Sequence, residues 1–245
     1  MNSAQKQSAQ NSAQITIGFL LGWTLLSGML ISLGNWLDIE EYANGISHSN
    51  LVLVRTYQVA YGITAALVVA GAVKLVKTNS GAKNSIQQLP GHWILYGLAI
   101  ENIYDYLTVF GSFWAQDIHA YNTAYALSGF FGIGIGVTYA FGAMSTKERW
   151  WRWYLAAISC VTFVQSAWSI LYATDVNLIP ADTGLVLHNG LNLVAWLLAI
   201  KFALLVLIDL LTRRKWDWLH WAAIFANSMF ILLPWIYYLF YFMLE

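Results

Sequence analysis

"ALSGFFGIGIGVTYAFGAM", residues 126–144, contains no charged residue. A helix that crosses a bilayer needs roughly 20 mostly apolar residues, and this stretch supplies them. Within it Ser128, Gly132 and Gly136 recur at four-residue steps. That small-xxx-small pattern lets helix backbones approach closely where lipid gives no hydrophobic drive to association. The segment is therefore expected to be a membrane span with neighbours on more than one side.

The same character extends along the whole chain. Of 245 residues, 59% are hydrophobic and 10% charged, with 13 Trp, 14 Tyr and 12 Phe. This composition excludes an ordinary soluble domain and divides at span length into seven segments, about 15–36, 52–74, 92–114, 122–144, 153–172, 184–211 and 218–244. The expected fold is all-α, a polytopic membrane protein with one seven-helix domain over residues 15–245. Residues 1–14 are rich in Ser, Gln and Asn and are expected to form a disordered polar tail. With a single lysine and no small-residue cleavage site, that tail does not have the form of a signal peptide.

Basic residues near span ends are retained on the cytoplasmic side. Lys6, Lys74, Lys77, Lys83, Lys147, Arg149, Arg152, Arg213, Arg214 and Lys215 fall on one face of the seven-span arrangement. The other face collects Asp38, Glu40, Glu41, Asp117, Asp175, Asp182 and Glu245, with Arg55 as its base. The N-terminus is expected inside and the C-terminus outside. A formal net charge of zero thus hides an asymmetry suited to a bilayer, not to nucleic acid. Cys160, the one cysteine, is expected to be a small core residue of span five.

Four charges remain inside spans: Glu101, Asp105, Lys201 and Asp209. Asp209 precedes Arg213 by one helical turn near the cytoplasmic rim, where an i, i+4 pair suffices. Glu101 and Asp105 share a face of span three, about 14 and 20 Å from its cytoplasmic end at 1.5 Å per residue. Lys201, 12 residues before Arg213, lies about 18 Å deep by the same rise. It is the expected ionic partner of one acid. Ionised groups at that depth cost several kcal/mol unless they pair, protonate or line a wet path. One lysine neutralises one carboxylate, so the other carboxyl, with Asp105 favoured, is expected to hold its proton. A purely structural role, an ion pair fixing the packing of spans three and six, accounts for the same residues.

His48, His119 and His188 lie towards the outer side and His92 and His220 open spans three and seven on the inner side, so none is at mid-membrane. No helix pair shows the repeated spacing that stacked bis-His haems need. Asp117 to His119 with Asp175 or Asp182 has the residue types of an outer metal site, but also those of an ordinary wet loop. Pro234 is expected to kink span seven locally. The tryptophans of "ERWWRWY" (148–154) and "KWDWLHW" (215–221) are expected to anchor at headgroup level. The sequence carries no phosphate-binding glycine loop, CxxC or HExxH motif, and no nucleophile with a nearby base, so no catalytic chemistry is indicated.

"DYLTVFGSFWA", Asp105 to Ala115, resembles the third-helix pattern of subunit III of the haem-copper (cytochrome c or quinol) oxidases, where an acidic residue is followed at this distance by Phe-Trp-Ala. That acid is a glutamate in the family, whereas here it is Asp105, with Glu101 one turn earlier. Further resemblances follow in chain order: Asn122, Thr123, the "LSG" beginning at Leu127 and Thr138 in span four, and Gln165 in span five. "NGLNL", Asn189 to Leu193, resembles a His-Gly-Leu-His-Val run with Asn189 and Asn192 in place of both histidines. His220 in "WLHWAAIF" fits the Trp-His of the last helix. The chain departs from the family at Trp168 and Ala223, where acids are usual. The resemblance covers about residues 92–244.

What the resemblance implies is an accessory subunit without metal or redox cofactor, flanking catalytic subunit I. Phospholipid would lie between helices one to two and helices three to seven, and the subunit would support oxygen access and proton uptake. His188, Asn189, Asn192 and His220 become candidates for polar or inter-subunit contacts, and the location becomes a prokaryotic plasma membrane or the mitochondrial inner membrane. Three other readings use the same residues. They are a small-ion or solute transporter built on Glu101, Asp105 and Lys201, a subunit of another membrane complex, and a retinal-type seven-helix protein. The last would need its Schiff-base lysine in span six, because span seven has none.

Overall fold

The structure is a computed structural model that describes residues 17–42, 48–80, 89–114, 118–174, 181–212 and 217–244. Among them the chain forms seven helices and no strand: α1 (Ile17–Tyr42), α2 (His48–Ser80), α3 (Pro90–Trp114), α4 (Ile118–Ser145), α5 (Arg149–Ala173), α6 (Ala181–Leu211) and α7 (Trp218–Leu244). Five carry segments long and apolar enough to cross a membrane: Leu53–Lys77, Tyr125–Ser145, Arg149–Ala173, Asn189–Leu211 and Trp218–Phe240. In α1 the apolar stretch is shorter, Gly18–Ser32. The protein is all-helical, with the apolar helices of a multi-pass membrane protein. The tail at residues 1–14 and the loop charges Lys83, Asp117, Asp175, Arg213, Arg214 and Lys215 lie outside the described residues.

Helices outrun the apolar windows at several ends. α1 continues to Tyr42, past Asp38, Glu40 and Glu41. Hydropathy marks the part of a helix that suits lipid, whereas backbone hydrogen bonding carries the helix on into polar sequence. Pro234 lies inside α7, which remains one helix from Trp218 to Leu244.

The helices fall into two compact units, α1, α2 and α7 in one and α3 to α6 in the other. The resemblance implies helices one and two set apart from three to seven; here α7 packs on α2 and belongs with the first group. In that first unit the Trp23 indole N–H donates to the Ile63 carbonyl at 3.1 Å, tying α1 to α2. Tyr57 meets Tyr237 at 5.4 Å and Tyr61 meets Phe230 at 5.2 Å between ring centroids, joining α2 to α7. At the other end of these helices, Phe19 and Trp218 meet edge to face at 4.8 Å. The Lys74 ammonium lies 4.8 Å from the Trp218 ring and 5.4 Å from the Phe19 ring, so one cation engages residues of all three helices. Asp217 caps α7, its Oδ1 accepting from the His220 backbone N–H at 2.8 Å.

In the second unit α4 and α5 form the most extensive pair, α3 packs on α4, and α6 packs on α5. Glycines make the α4–α5 contact close. Gly129 and Gly132 lie against Ser166 and Ile170, Gly136 lies against the Phe163 ring, and the Ser159 hydroxyl donates to the Gly136 carbonyl at 2.7 Å. On the α3 side of α4, the hydroxyl end of the Tyr139 ring lies against Gly97. The expected position of span four between neighbours is what the structure shows within this unit.

Candidate functional site

The charges of the second unit occupy two levels. Nearer the C-terminal end of α6, Asp209 is 2% exposed, and Trp151 is 1% exposed. The Trp151 indole N–H donates to Asp209 Oδ2 at 2.8 Å. Sequence reading paired Asp209 with Arg213 on its own helix and placed Trp151 with the headgroup anchors. Arg213 lies outside the described residues, and the tandem tryptophans divide their roles. Trp150 and Trp153 are 62% and 58% exposed, while Trp151 turns inward to bond α5 to α6. Three consecutive Trp or Arg positions on a helix necessarily point in different directions, at about 100° per residue. The spacing alone contained that information, but only a partner such as Asp209 identifies the inward one.

The second set lies farther from that end of α6. On α3, Glu101 is exposed and Asp105 half-buried, one turn apart and within electrostatic reach of each other. Glu101 is also within electrostatic reach of Tyr139 on α4, and Tyr139 in turn of Tyr154 on α5. Both tyrosines are buried. Tyr154 packs on Phe202 of α6 with ring centroids 5.7 Å apart, and Phe202 is the residue after Lys201. Electrostatic reach from Glu101 to Tyr139 and on to Tyr154, with the Tyr154–Phe202 ring contact, thus links α3 to α6 through α4 and α5. Beside Glu101, Asn102 is buried, donating its Nδ2 to the Leu98 carbonyl at 2.7 Å and leaving its Oδ1 without a hydrogen-bond partner.

The acids and the lysine stand on different helices of the unit, Glu101 and Asp105 on α3 and Lys201 on α6. Helix α3 packs chiefly on α4 and also touches α5, whereas α6 packs on α5. Among the described residues no ion pair joins Lys201 to Glu101 or Asp105, and Lys201, half-buried, makes no hydrogen bond. Depth along a helix can be counted in a sequence; which helices are neighbours cannot. Asp105 has interactions of its own within the chain.

The remaining candidates are distributed as follows. Asn189 is exposed on α6. His188 and Asn192 belong to the same helix, and their side chains are outside the described ones. His220 is 0% exposed, its ring 5.6 Å from that of Trp221, so it presents no surface to another subunit. His92 is likewise buried, with its Nδ1 accepting from the Leu89 backbone N–H at 3.4 Å at the start of α3. Cys160, expected in the core, is exposed on α5 instead. Among the described residues no group of three or more His, Cys, Asp or Glu gathers to hold a metal.

Sequence reading missed one feature of the first unit. Between α1 and α2 runs a groove of about 840 Å³, lined by Phe19, Gly22, Leu25, Met29, Val73 and Lys77 among others, with Lys74 beside Lys77 at one end. Gly18 and Gly22 open it, since a Cβ at either would meet nothing within 4 Å. The fold and these polar positions define a class, a polytopic all-helical membrane protein with titratable groups on its apolar helices. Comparison with protein-family models, with curated proteins and with solved structures finds no match to the chain.

Proposed function

We propose that this protein is a non-catalytic, multi-pass accessory subunit of a larger membrane complex, of the type of subunit III of the haem-copper oxidases. In this reading it spans the membrane seven times with its N-terminus inside and C-terminus outside. It stabilises catalytic subunit I, binds phospholipid, and supports oxygen access and proton uptake without a redox cofactor of its own. The observation that carries the reading is that Glu101, exposed, and Lys201, half-buried, stand on α3 and α6 of one unit with no ion pair between them among the described residues. Ionisable groups facing lipid are costly, so a chain that puts them there is built to be covered. The α1–α2 groove, apolar with Lys74 and Lys77 at one end, supports the lipid part, being shaped for an acyl chain beneath an anionic headgroup.

Blue-native electrophoresis of mildly solubilised native membranes tests the assignment. The chain is expected to migrate with haem-copper oxidase activity, and deletion of its gene is expected to leave an oxidase of smaller apparent mass. A free monomer beside an unchanged oxidase defeats the proposal. The purified single chain is expected to give no pyridine haemochrome signal and no stoichiometric copper or iron. A molar equivalent of any of these would make it a redox protein in its own right.

A second reading draws on the Glu101–Tyr139–Tyr154 layer, a set of titratable groups suited to moving a small ion through the unit. Proteoliposomes of the purified chain that dissipate an imposed pH gradient, and cease to do so with Glu101→Gln, would favour this transporter reading over the accessory one.

A further inference from the structure

We propose that the interface of α2 and α7 in the first unit binds internal water, seated among Gln58, Thr64, Asn227 and the backbone carbonyl of Phe230. Such a site is independent of what the chain assembles with.

Ring contacts set the register of this interface. Tyr61 meets Phe230, and Tyr57, one turn earlier on α2, meets Tyr237, two turns later on α7. The two helices therefore run antiparallel. Residues three or four apart share a helix face. Three forward from Tyr61 is Thr64 and three back from Phe230 is Asn227, so these two stand opposite each other, 3% and 8% exposed. In the other direction Gln58 lies three before Tyr61, and Pro234 four after Phe230. All of them fall within segments long and apolar enough to cross a membrane, Leu53–Lys77 and Trp218–Phe240.

Polar groups gather here with hydrogen-bonding capacity unused. Both amide atoms of Gln58, Oε1 and Nε2, are buried without a hydrogen-bond partner, and so is Asn227 Nδ2. The Thr64 hydroxyl donates to the Ala60 carbonyl at 2.8 Å, which keeps its oxygen available as an acceptor. Pro234 has no N–H for the Phe230 carbonyl, the acceptor four residues back. Within a bilayer, a carbonyl freed by proline is satisfied again by a neighbouring helix or an ordered water. Buried side-chain amides likewise find protein or water partners.

The mixture of donors and acceptors selects the occupant. Gln58 and Asn227 offer N–H groups, whereas Gln58 Oε1, Thr64 Oγ1 and the Phe230 carbonyl accept. An ion of either sign would suit only part of this set. Between Arg55 and Lys74 on α2, and throughout α7, there is no Asp, Glu, Lys or Arg to balance one. Water both donates and accepts, and a buried water makes about three hydrogen bonds.

X-ray hydroxyl-radical footprinting of the full-length protein in its membrane tests the site, because radiolysis of a bound water oxidises the side chains beside it. Tyr61 and Phe230 are expected to be oxidised several-fold faster than Tyr154 and Phe202, a buried ring pair of the second unit. Gln58→Leu combined with Asn227→Val removes the polar side chains and is expected to bring both rates down to those of the reference pair, with the folded peak on size exclusion retained. Gln58→Leu alone is expected to lower both rates in part, and it decides the matter where the double variant does not fold. Rates at Tyr61 and Phe230 equal to those of the reference pair in the unsubstituted protein overturn the site. High rates that the folded variants leave unchanged overturn it as well, since the oxidation would then follow from exposure of the rings and not from water held by Gln58 and Asn227.

Discussion

Gly129→Leu and Gly132→Leu are expected to separate α4 from α5 and to leave little folded protein. A Cβ at Gly129 would lie 2.9 Å from the Ser166 backbone carbonyl oxygen, and a neighbouring helix backbone cannot rotate aside as a side chain can. At Gly132 the obstacle is the Ser166 hydroxyl, whose own bond runs to the Thr162 carbonyl at 2.6 Å. Overpacking of this kind costs roughly 1–3 kcal/mol where neighbours can shift, and more where the obstacle is main chain. Leucine at either position also pushes the helices apart along their whole contact, which weakens the Ser159 bond to the Gly136 carbonyl. Gly134 is the control. It lies on the same helix with nothing within 4 Å of a Cβ, so Gly134→Leu is expected to change little. Thermal unfolding of the detergent-solubilised variants, followed by the folded peak on size exclusion, distinguishes the sites. Equal losses at 129, 132 and 134 would show that the α4–α5 contact does not depend on small residues.

How much of this was legible before the structure depends on which dimension is asked about. The place of most described helices follows from apolar run length, a one-dimensional property, and five of the seven carry a segment long and apolar enough to cross a membrane. The close-packed face of α4 was legible from Gly132 and Gly136. Its third member proved to be Gly129, against Ser166 and Ile170, while Ser128 is only half-buried. Steps of three and four alternate on a helix face because a turn holds 3.6 residues, and a strict four-residue pattern drifts off the contact. The lateral order of the helices was not legible, since chain order does not say that α6 packs on α5 and away from α3. For the same reason Asp209 was matched to the nearest base on its own helix, when the group that reaches it comes from 58 positions earlier. Partners across helices are a tertiary property, and in a chain that is apolar nearly throughout the hydrophobic pattern does not select them.

That long-range bond carries the second large effect. Trp151→Ala is expected to cost about 3–5 kcal/mol, the usual range for removing a buried aromatic, because the indole packs on Tyr154 and Phe202 as well as bonding Asp209. Trp151→Phe retains most of the ring contact but removes the N–H, leaving Asp209 Oδ2 short of a donor at a buried position. That separates the hydrogen bond from the packing, and the expected cost is about 1–3 kcal/mol, the range for removing one partner of a buried hydrogen bond. Asp209→Asn keeps an acceptor oxygen in reach of the indole and is expected to cost less than Asp209→Ala. Because the two side chains act on one bond, Trp151→Phe combined with Asp209→Ala should cost clearly less than the sum of the single changes. The damage is also expected to be local. Helix α6 has α5 as its main neighbour in the unit, so loss of this tie should raise hydrogen exchange along α6 before the α4–α5 pair is affected. Hydrogen exchange with mass spectrometry of the Trp151→Phe variant makes the measurement. Uniform deprotection of α4, α5 and α6 would mean that the four helices open together. Unchanged exchange in α6 would mean that the Trp151–Asp209 bond is not what holds that helix in place.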